Sequence, residues 1–355
     1  MRIMVTGGTG FVGAHAVRAL VEAGHEVALL VRAPERVADA LRPLGVDPGR
    51  YEVVPGDVLD DRSVRRALNG ADALLHAANV YSFNVTDASV MHQVNVDGTR
   101  RILHAAAERN LDPIVHVSSV VALLPSDHLS NDSPVGSPQG PYPTSKAAAE
   151  VIAREFQAEG APVVITHPGE VLGPHDPHEG GNSSVAILRD MVRGRARSVM
   201  PGRIGVVDVR DLGDAHARLF TAGHGPRRYL MAGHETTLEQ QFQLLTACLG
   251  RRLPRIPVPV GAAMATGRVA ESFQRRGVDP GFSSTNPWLL ANHPGFDDTP
   301  TQRDLGVSWR PVTDTLRDTV AWLHARGLVS RRQAGLAAAP RTTEPVHATD
   351  EVRSR

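Results

Sequence analysis

Short apolar segments alternate with amphipathic segments over the first half of the chain. The apolar segments have the length and β-branched content of strands, and the segments between them have the apolar spacing of helices. The predicted strands are 2–6, 26–31, 51–55, 73–77, 114–118 and 162–167, and the predicted helices are 11–23, 60–68, 90–109 and 142–159. This order predicts an α/β fold with a doubly wound parallel sheet, because continuously apolar strands are buried on both faces.

The alternation ends near residue 172. Glycine, proline and histidine crowd residues 173–182, a helix is predicted over 183–193, and 204–209 has the pattern of a strand that returns to the sheet. We therefore expect a sheet domain over 1–172 and a smaller C-terminal substrate-binding cap, mainly over 173–330. Residues 331–355 have almost no large apolar side chains, so we predict a disordered tail that adds nothing to the core.

Charge and composition exclude several functions. The 355 residues have a formal net charge of zero and only 4% aromatic residues, so nucleic acid is not expected as a partner. No run of 18 apolar residues is present, and no membrane partner is expected. Cys248 is the single cysteine, which excludes an internal disulfide and favours a reducing, cytoplasmic location.

A glycine-rich run, Thr6-Gly7-Gly8-Thr9-Gly10-Phe11-Val12-Gly13, joins the first strand to the first helix. Glycines there permit a tight turn and let the backbone approach a pyrophosphate, while the helix N-terminus favours negative charge. The position between a strand and a helix favours this interpretation over a plain glycine turn. The first 172 residues are therefore predicted to be a Rossmann-type dinucleotide-binding domain. The predicted cofactor-binding residues of this run are Gly7, Gly10, Phe11, Val12 and Gly13.

The end of the second strand suggests which dinucleotide is bound. Arg32 stands where an NAD-binding site usually has an acidic residue for the ribose 2′-hydroxyl. A guanidinium can bind a 2′-phosphate in bidentate fashion, with Arg36 in support, so NADP is favoured over NAD. The alternative is an ordinary solvated arginine. Asp57 and Val58 follow the third strand and are predicted to line the adenine, although Asp57 could instead cap the next helix.

The only lysine of the chain, Lys146, follows Tyr142 by one helical turn, and the other 37 of the 38 basic side chains are arginine. Pro143 would fit the first position of their helix. An ammonium about 5 Å from a phenol should lower the tyrosine pKa by about two units at an effective dielectric near 20. The pair is thus a candidate for proton delivery, and the alternative is a helix-surface tyrosine and lysine.

Together, the glycine run and the Tyr142–Lys146 pair resemble the extended short-chain dehydrogenase/reductases, related to NAD-dependent epimerases and dehydratases. The similarity runs from Arg2 to about Leu328. Further matching motifs are His76-Ala77-Ala78, Asn95-Val96-Asp97-Gly98-Thr99, Val117-Ser118-Ser119, Pro168-Gly169, Val171-Leu172-Gly173-Pro174 and Val207-Asp208-Val209-Arg210-Asp211.

The resemblance implies roles for these residues. Ser119 is the implied third catalytic residue, which binds the substrate oxygen while Tyr142 protonates it, and Ser118 is expected to face the nicotinamide. Lys146 is expected to hold the nicotinamide ribose as well, and Asn95 to support a water beside it. The residues implied to complete the cofactor site are Ala77, Ala78, Tyr142, Lys146, Pro168 and Val171.

Two departures from the epimerase pattern direct the functional hypothesis. His167 precedes Pro168 where sugar-nucleotide epimerases commonly have arginine, and Leu172 replaces their tyrosine. The chain is thus more similar to dihydroflavonol-reductase-like and 3β-hydroxysteroid-dehydrogenase-like enzymes. The implied activity is NADP-dependent reduction of a small-molecule ketone or aldehyde, or oxidation of the alcohol, by a homodimer. The alternatives are a nucleotide-sugar epimerase or dehydratase and a non-catalytic cofactor sensor.

The segment His175-Asp176-Pro177-His178 is the one other group with potential metal ligands. It lies in a proline- and glycine-rich loop and lacks a third ligand at helical spacing, so no metal is predicted there.

Overall fold

A computed structural model describes residues 1–179 and 183–338. Its centre is a parallel sheet, which confirms the predicted Rossmann-type α/β fold. The strands of this sheet are β1 (Arg2–Thr6), β2 (Glu26–Val31), β3 (Tyr51–Pro55), β4 (Ala73–His76), β5 (Ile114–Val117), β7 (Val163–Pro168) and β11 (Arg227–Met231). Among the described residues, their order across the sheet is β3-β2-β1-β4-β5-β7-β11. Three smaller sheets contain β6 (His128–Leu129), β8 (Glu170–Leu172), β9 (Ser198–Val199), β10 (Ile204–Asp208), β12 (His234–Thr236), β13 (Ile256–Pro257) and β14 (Gly295–Phe296).

Helices cover both faces of the central sheet and form most of the cap. None of the helices in the described part of the chain has the length and apolar character needed to cross a membrane. The helices are α1 (Phe11–Glu22), α2 (Glu35–Leu41), α3 (Asp61–Ala67), α4 (Ala88–His92), α5 (Gly98–Glu108), α6 (Pro141–Ala158), α7 (Ser184–Val192), α8 (Val209–Ala217), α9 (Leu238–Leu249), α10 (Val260–Gln274), α11 (Thr285–Asn292), α12 (Thr299–Leu305), α13 (Val312–Ala325) and α14 (Arg331–Ala334).

Alternate side chains of each central strand enter two different cores. Ile3 and Val5 of β1 pack in the core formed with α1 and α8, whereas Met4 packs in the core formed with α3, α5 and α6. All three side chains are fully buried, as the continuous apolar run predicts. Because the central strands are all parallel, their carboxyl ends lie along one edge of the sheet. Ligands bind at this edge in folds of this kind.

The strand predicted over 204–209 does not return to the central sheet, so this part of the domain prediction is wrong. β10 pairs with β8 and β12 in a three-stranded sheet, and β11 fills the edge position beside β7. The apolar pattern identified β10 as a strand but contains no information on its partner. The division of the chain at residue 172 stays a prediction.

The predicted tail is partly structured. Arg331–Ala334 forms α14, capped by Ser330, and Ala334 and Ala337 are buried against the core of the cap. The prediction that 331–355 adds nothing to the core is therefore wrong for 331–338, because two small alanines can fill a core position without a large apolar pattern. Residues 339–355 lie outside the described part of the chain.

Candidate active site

The glycine turn lies at the carboxyl edge of the sheet and has no room for side chains. Gly7 has φ of +75°, and a Cβ there would lie 2.5 Å from the Ala77 carbonyl carbon. A Cβ on Gly13 would lie 2.1 Å from the Gly7 carbonyl oxygen. The turn is closed by the Gly10 amide, which donates to the Gly7 carbonyl at 2.9 Å. Only glycine fits these two positions.

The first helix begins directly at this turn. Gly10 is its N-cap and provides no side-chain hydrogen bond, and the first turn contains no acidic residue. The first backbone N–H groups of α1 are thus left for an anionic ligand. Phe11 and Val12 are partly buried against neighbouring cores and fix the direction in which the helix starts. The cradle fits the pyrophosphate of a dinucleotide.

The ends of β2 and β3 lie along the same edge. Arg32 follows β2 directly, and both Arg32 and Arg36 are exposed. Asp57 accepts a hydrogen bond from the Leu59 amide at 3.0 Å, whereas Asp60 is the residue that caps α3. The helix-capping alternative for Asp57 is therefore wrong.

Two further predicted cofactor positions form the wall of this turn. The amide of Ala77 donates to the Thr6 carbonyl at 3.1 Å, and that of Ala78 to the Thr6 hydroxyl at 3.3 Å. Val58 is buried beside them in the core below. On the opposite side, Val171 in β8 packs against the core that includes α1.

Helix α6 begins at Pro141, one residue before the predicted range 142–159 and two residues before Pro143, the predicted first position. Gly140 precedes it with φ of +97°, so Pro141 rather than Pro143 opens the helix. Tyr142 therefore lies within the first turn and is 8% exposed. The one-turn spacing of Tyr142 and Lys146 is retained.

Ser119, Tyr142 and Lys146 converge at the end of β5. The Lys146 ammonium donates to the Val117 carbonyl at 2.8 Å, two residues before Ser119. Burial raises the pKa of Tyr142 above its ordinary value, and a hydrogen-bonding interaction with the Ser119 hydroxyl opposes this rise. The Ser119 hydroxyl also lies 3.4 Å from the Pro168 carbonyl oxygen at the end of β7.

The electrostatics differ from the simple pairwise expectation. Burial lowers the pKa of Lys146 to about 8, with the charge of Glu150 in partial opposition. The predicted fall of the Tyr142 pKa is wrong, because the prediction left out the burial of the phenol, which is the largest influence on this pKa. At neutral pH the site combines a protonated phenol with a charged ammonium.

Asn95 links the loop after β4 to α6 through its side chain. The predicted helix 90–109 runs from Ala88 to Glu108 and contains a π-helical turn, Gln93–Asp97, around this buried residue. Its Oδ1 accepts from the Val80 amide at 2.7 Å, and its Nδ2 donates to the Val80 carbonyl and to the Ser145 hydroxyl at 2.9 Å each. Both Nδ2 hydrogens are used in these bonds, whereas Oδ1 accepts only one. The expectation that Asn95 supports a water beside Lys146 stays a prediction.

A buried charged cluster behind Lys146 was not predicted. The Glu150 carboxylate binds His167 Nε2 at 2.8 Å and the Arg154 guanidinium at 2.7 Å, and its side chain is fully buried. Burial alone would raise the pKa of Glu150, but the charge and hydrogen bond of His167 hold it below its ordinary value. The spacing of Glu150 four residues after Lys146, and the histidine in place of arginine at 167, were the available signals.

Ser118 belongs to this cluster rather than to the nicotinamide side, so its predicted direction is wrong. Neighbouring strand residues point to opposite faces, and the Ser118 hydroxyl lies beside Glu150, where it helps to lower the carboxyl pKa. Ser119 consequently faces Tyr142.

Aromatic side chains that the sequence analysis missed cover Tyr142. The Tyr81 ring packs edge-on at 4.7 Å between ring centroids, and Phe83 lies at 6.2 Å from Tyr142. Glu170 lies near Tyr81, and its carboxylate accepts from Gln241 Nε2 at 3.1 Å. Burial raises the pKa of Glu170 to about 7. Tyr81 and Tyr142 are 61 positions apart along the chain, so the sequence contained no signal of this contact.

The part of the histidine-containing loop that the structure describes, 173–179, is held partly by the rest of the fold, since His15 Nε2 lies 3.1 Å from the Pro174 carbonyl oxygen. Asp176 accepts from the His178 amide at 2.9 Å and from the Ser183 hydroxyl at 2.7 Å. Its carboxylate thus shapes the loop.

Comparisons with known proteins agree with the fold and the motifs. The model of the NAD dependent epimerase/dehydratase family matches residues 3–232. The chain is 31% identical over 338 residues to sterol demethylase protein B of Methylococcus capsulatus, which covers 93% of this chain and 100% of that one. It is 29% identical over 346 residues to a 4-hydroxy-2-methyl-3-oxo-4-farnesyl-3,4-dihydroquinoline-1-oxide ketoreductase of Stigmatella aurantiaca, covering 94% and 97%.

A solved structure of UDP-glucose 4-epimerase from Bifidobacterium longum, in complex with NAD+ and UDP, has the same fold. The TM-score is 0.71 at 19% identity, with 92% of this chain and 99% of that chain covered. The chain belongs to the NAD dependent epimerase/dehydratase family, as an extended short-chain dehydrogenase/reductase that binds NAD(P).

Proposed function

We propose that this protein is an NADP-dependent reductase of a small-molecule ketone or aldehyde, or the alcohol dehydrogenase that runs the reverse reaction. The observation that carries the proposal is the convergence of Ser119, Tyr142 and Lys146 at the carboxyl end of β5, beside the glycine turn. The ketoreductase relative supports a reductase.

The side chains divide the chemistry among them. When bound, the reduced nicotinamide supplies a hydride to the carbonyl carbon. The Ser119 hydroxyl holds the carbonyl oxygen, and Tyr142 donates its phenolic proton to that oxygen as negative charge develops there. The raised pKa of Tyr142 keeps the phenol protonated before the reaction. The Lys146 ammonium stabilises the phenolate that remains.

The preference for NADP rests on Arg32 and Arg36. Both are exposed at the edge where the adenosine ribose of a dinucleotide would lie. Arg32 takes the position at which an NAD-binding site usually has an acidic residue. Arg32→Glu should weaken NADPH use at least about tenfold relative to NADH, because a bidentate guanidinium–phosphate contact is replaced by repulsion. Arg195→Glu, which changes an exposed arginine far along the chain, is the control. An unchanged NADPH-to-NADH ratio in Arg32→Glu would contradict the assignment.

The surroundings of Tyr142 suit an apolar carbonyl compound with one polar group. Tyr81 and Phe83 provide aromatic surface, while the carboxyl of Glu170 provides a single hydrogen-bonding position. A nucleotide-sugar epimerase remains the second candidate, because the fold is shared with UDP-glucose 4-epimerase. His167 stands where the epimerase pattern has an arginine, and its side chain is bound to Glu150. This departure from the pattern disfavours the epimerase reaction. We also propose a homodimer paired through the outer faces of α5 and α6.

The test is a panel of ketones, steroids, flavonoids and sugar nucleotides, each incubated with NADPH or NADH. We expect loss of absorbance of the reduced cofactor with an apolar ketone and NADPH. Turnover of a sugar nucleotide without net oxidation of the cofactor would instead establish the epimerase reaction.

A further inference from the structure

Exposed apolar side chains are concentrated in one short part of the cap. Among the described residues, five of the ten large apolar side chains that are exposed lie between 256 and 282. Val269 is 58% exposed, Phe273 47%, Val278 57% and Phe282 42%. Scattered exposed apolar residues are normal, but such a concentration is typical of an interaction surface.

The orientation of α10 is fixed, so this exposure is a property of the fold. Its inner face is buried at Gly267, Ala270 and Gln274. A Cβ on Gly267 would lie 2.4 Å from the Ser284 amide nitrogen, so the helix packs directly on the backbone before α11. The opposite face of the helix is necessarily turned to solvent.

The solvent face of α10 is apolar along its length. Ala262, Ala265, Val269 and Phe273 recur at helical spacing on one side and are all exposed. These four residues, with Val278 and Phe282 beyond the helix end, are called the apolar stripe below.

The turn after α10 is held against the helix end. The Val278 amide donates to the Phe273 carbonyl at 3.1 Å, and Gln274 Nε2 donates to the Phe282 carbonyl at 3.4 Å. Gln274 Nε2 also donates to Asp279 at 3.1 Å. These bonds keep Val278 and Phe282 next to Phe273, which makes the stripe continuous.

Cations flank the stripe, and the two nearby acids are engaged in hydrogen bonds. Arg268, Arg275 and Arg276 are exposed. Glu271 instead accepts from the Ser284 amide and hydroxyl at 2.9 and 2.6 Å. Asp279 accepts from Gln274, from the Gly281 amide and from Asn84. The polar border of the stripe thus has three exposed arginines against one exposed carboxylate, that of Asp279, and a net positive charge.

We propose that α10 binds the surface of an anionic lipid bilayer, with the apolar stripe in the headgroup region and the three arginines on the lipid phosphates. A helix that is apolar on one side and arginine-rich at its flank has the form of an interfacial helix. A second copy of the chain fits less well, because a two-fold contact would bring the arginines of the two copies together. Peripheral binding of this kind does not require a helix that spans the membrane. The proposal departs from the expectation, drawn from the sequence, that no membrane is a partner.

The position of α10 connects this surface to the candidate pocket. Gln274 Oε1 accepts from the Val85 amide at 3.2 Å, and Asn84 Nδ2 donates to Asp279 at 3.3 Å. Both partners follow directly on Tyr81 and Phe83, which pack on Tyr142. A bilayer bound at α10 would lie beside the aromatic wall of the pocket. Lipid binding does not depend on the proposed reaction, so the two proposals fail separately.

The test is co-sedimentation of the full chain with vesicles of phosphatidylcholine alone or mixed equally with phosphatidylglycerol. We expect binding to the mixed vesicles, at least tenfold weaker binding to phosphatidylcholine, and further weakening as salt is raised. The double variant Val269→Ser/Phe273→Ser should lose at least tenfold in affinity for the mixed vesicles. The matched control is Val90→Ser/Ile187→Ser, which removes exposed apolar side chains elsewhere and should bind as the wild type.

A charge variant and an association measurement complete the design. Arg268→Glu/Arg275→Glu keeps the apolar stripe and should also lose at least tenfold in affinity for the mixed vesicles. Equal binding by the wild type, the stripe variant and the charge variant would overturn the proposal. A wild type that binds neither vesicle would also overturn it. In that case, light scattering that shows an assembly which Val269→Ser/Phe273→Ser dissociates would assign the stripe to self-association.

Discussion

The glycine turn and the first turns of α6 build the same site by opposite means. At Gly7 and Gly13 the absence of side chains is the functional property, since any Cβ would meet backbone atoms. At Tyr142 and Lys146 the side chains are the functional property, and burial shifts the pKa of both. A site of the first kind tolerates no added atom, whereas one of the second kind depends on its electrostatic surroundings.

Gly13→Ala tests the first region and should have the largest effect. The added Cβ would lie 2.1 Å from the Gly7 carbonyl oxygen, so the turn must open. We expect at least about 100-fold weaker NADPH binding, or about 2.7 kcal/mol, measured by fluorescence titration. The control is Gly49→Ala, where a Cβ would meet nothing within 4 Å. Similar affinities for the two variants would show that the tight turn is not needed for binding.

Glu150→Ala tests whether the second region depends on its buried support. Removal of the carboxylate leaves His167 and Arg154 without their partner, and we expect a loss of about 3–5 kcal/mol in the free energy of unfolding in urea. Glu155→Ala changes an exposed carboxylate on the same helix and should cost less than about 0.5 kcal/mol. Equal losses would mean that the cluster behind Lys146 has no special role.

The same pair of variants predicts a pH dependence. The folded-state pKa of Glu150 lies below its ordinary value of 4.5. The stabilisation due to its charge should therefore be complete above about pH 4.5 and decrease as the pH falls further. The difference in unfolding free energy between wild type and Glu150→Ala, measured at pH 7 and in acid, checks this sign. A difference that grows in acid would be contrary to it.

A smaller, graded effect is expected from Lys146. Because burial lowers its pKa to about 8, the ammonium should be lost above that pH. In the reductive direction kcat/KM should then fall about tenfold per pH unit above about pH 8. In Lys146→Arg the residual kcat/KM should not decrease above about pH 8, because arginine stays charged. The same decrease in Lys146→Arg would assign the titration to another group.

The glycine turn and the α6 region also differ in how much of each could be predicted from the sequence. The glycine turn, its strand and its helix follow from local spacing, so Gly7, Gly10 and Gly13 were assigned without knowledge of the fold. The positions of the central strands along the chain followed from the same alternation. The partner of β10 did not, because pairing between distant strands leaves no local signal.

The α6 region was only partly predictable, for a different physical reason. The spacing of Tyr142 and Lys146 identified the pair, but their pKa values depend on burial, which a sequence does not contain. The contact between Glu150 and His167 joins a helix to a strand, and Tyr81 reaches Tyr142 from a loop. Such contacts depend on tertiary packing.

The most direct test of the account is the single-turnover rate of NADPH oxidation, with the protein saturated in NADPH and the best ketone of the panel. Tyr142→Phe should be about 10²–10⁴-fold slower than wild type, with NADPH affinity within a few-fold, since only the proton donor is removed. Tyr229→Phe, which removes a phenol that donates to Asp304 at 2.6 Å, should react at the wild-type rate. A Tyr142→Phe rate within threefold of wild type would contradict the central claim that Ser119, Tyr142 and Lys146 deliver the proton.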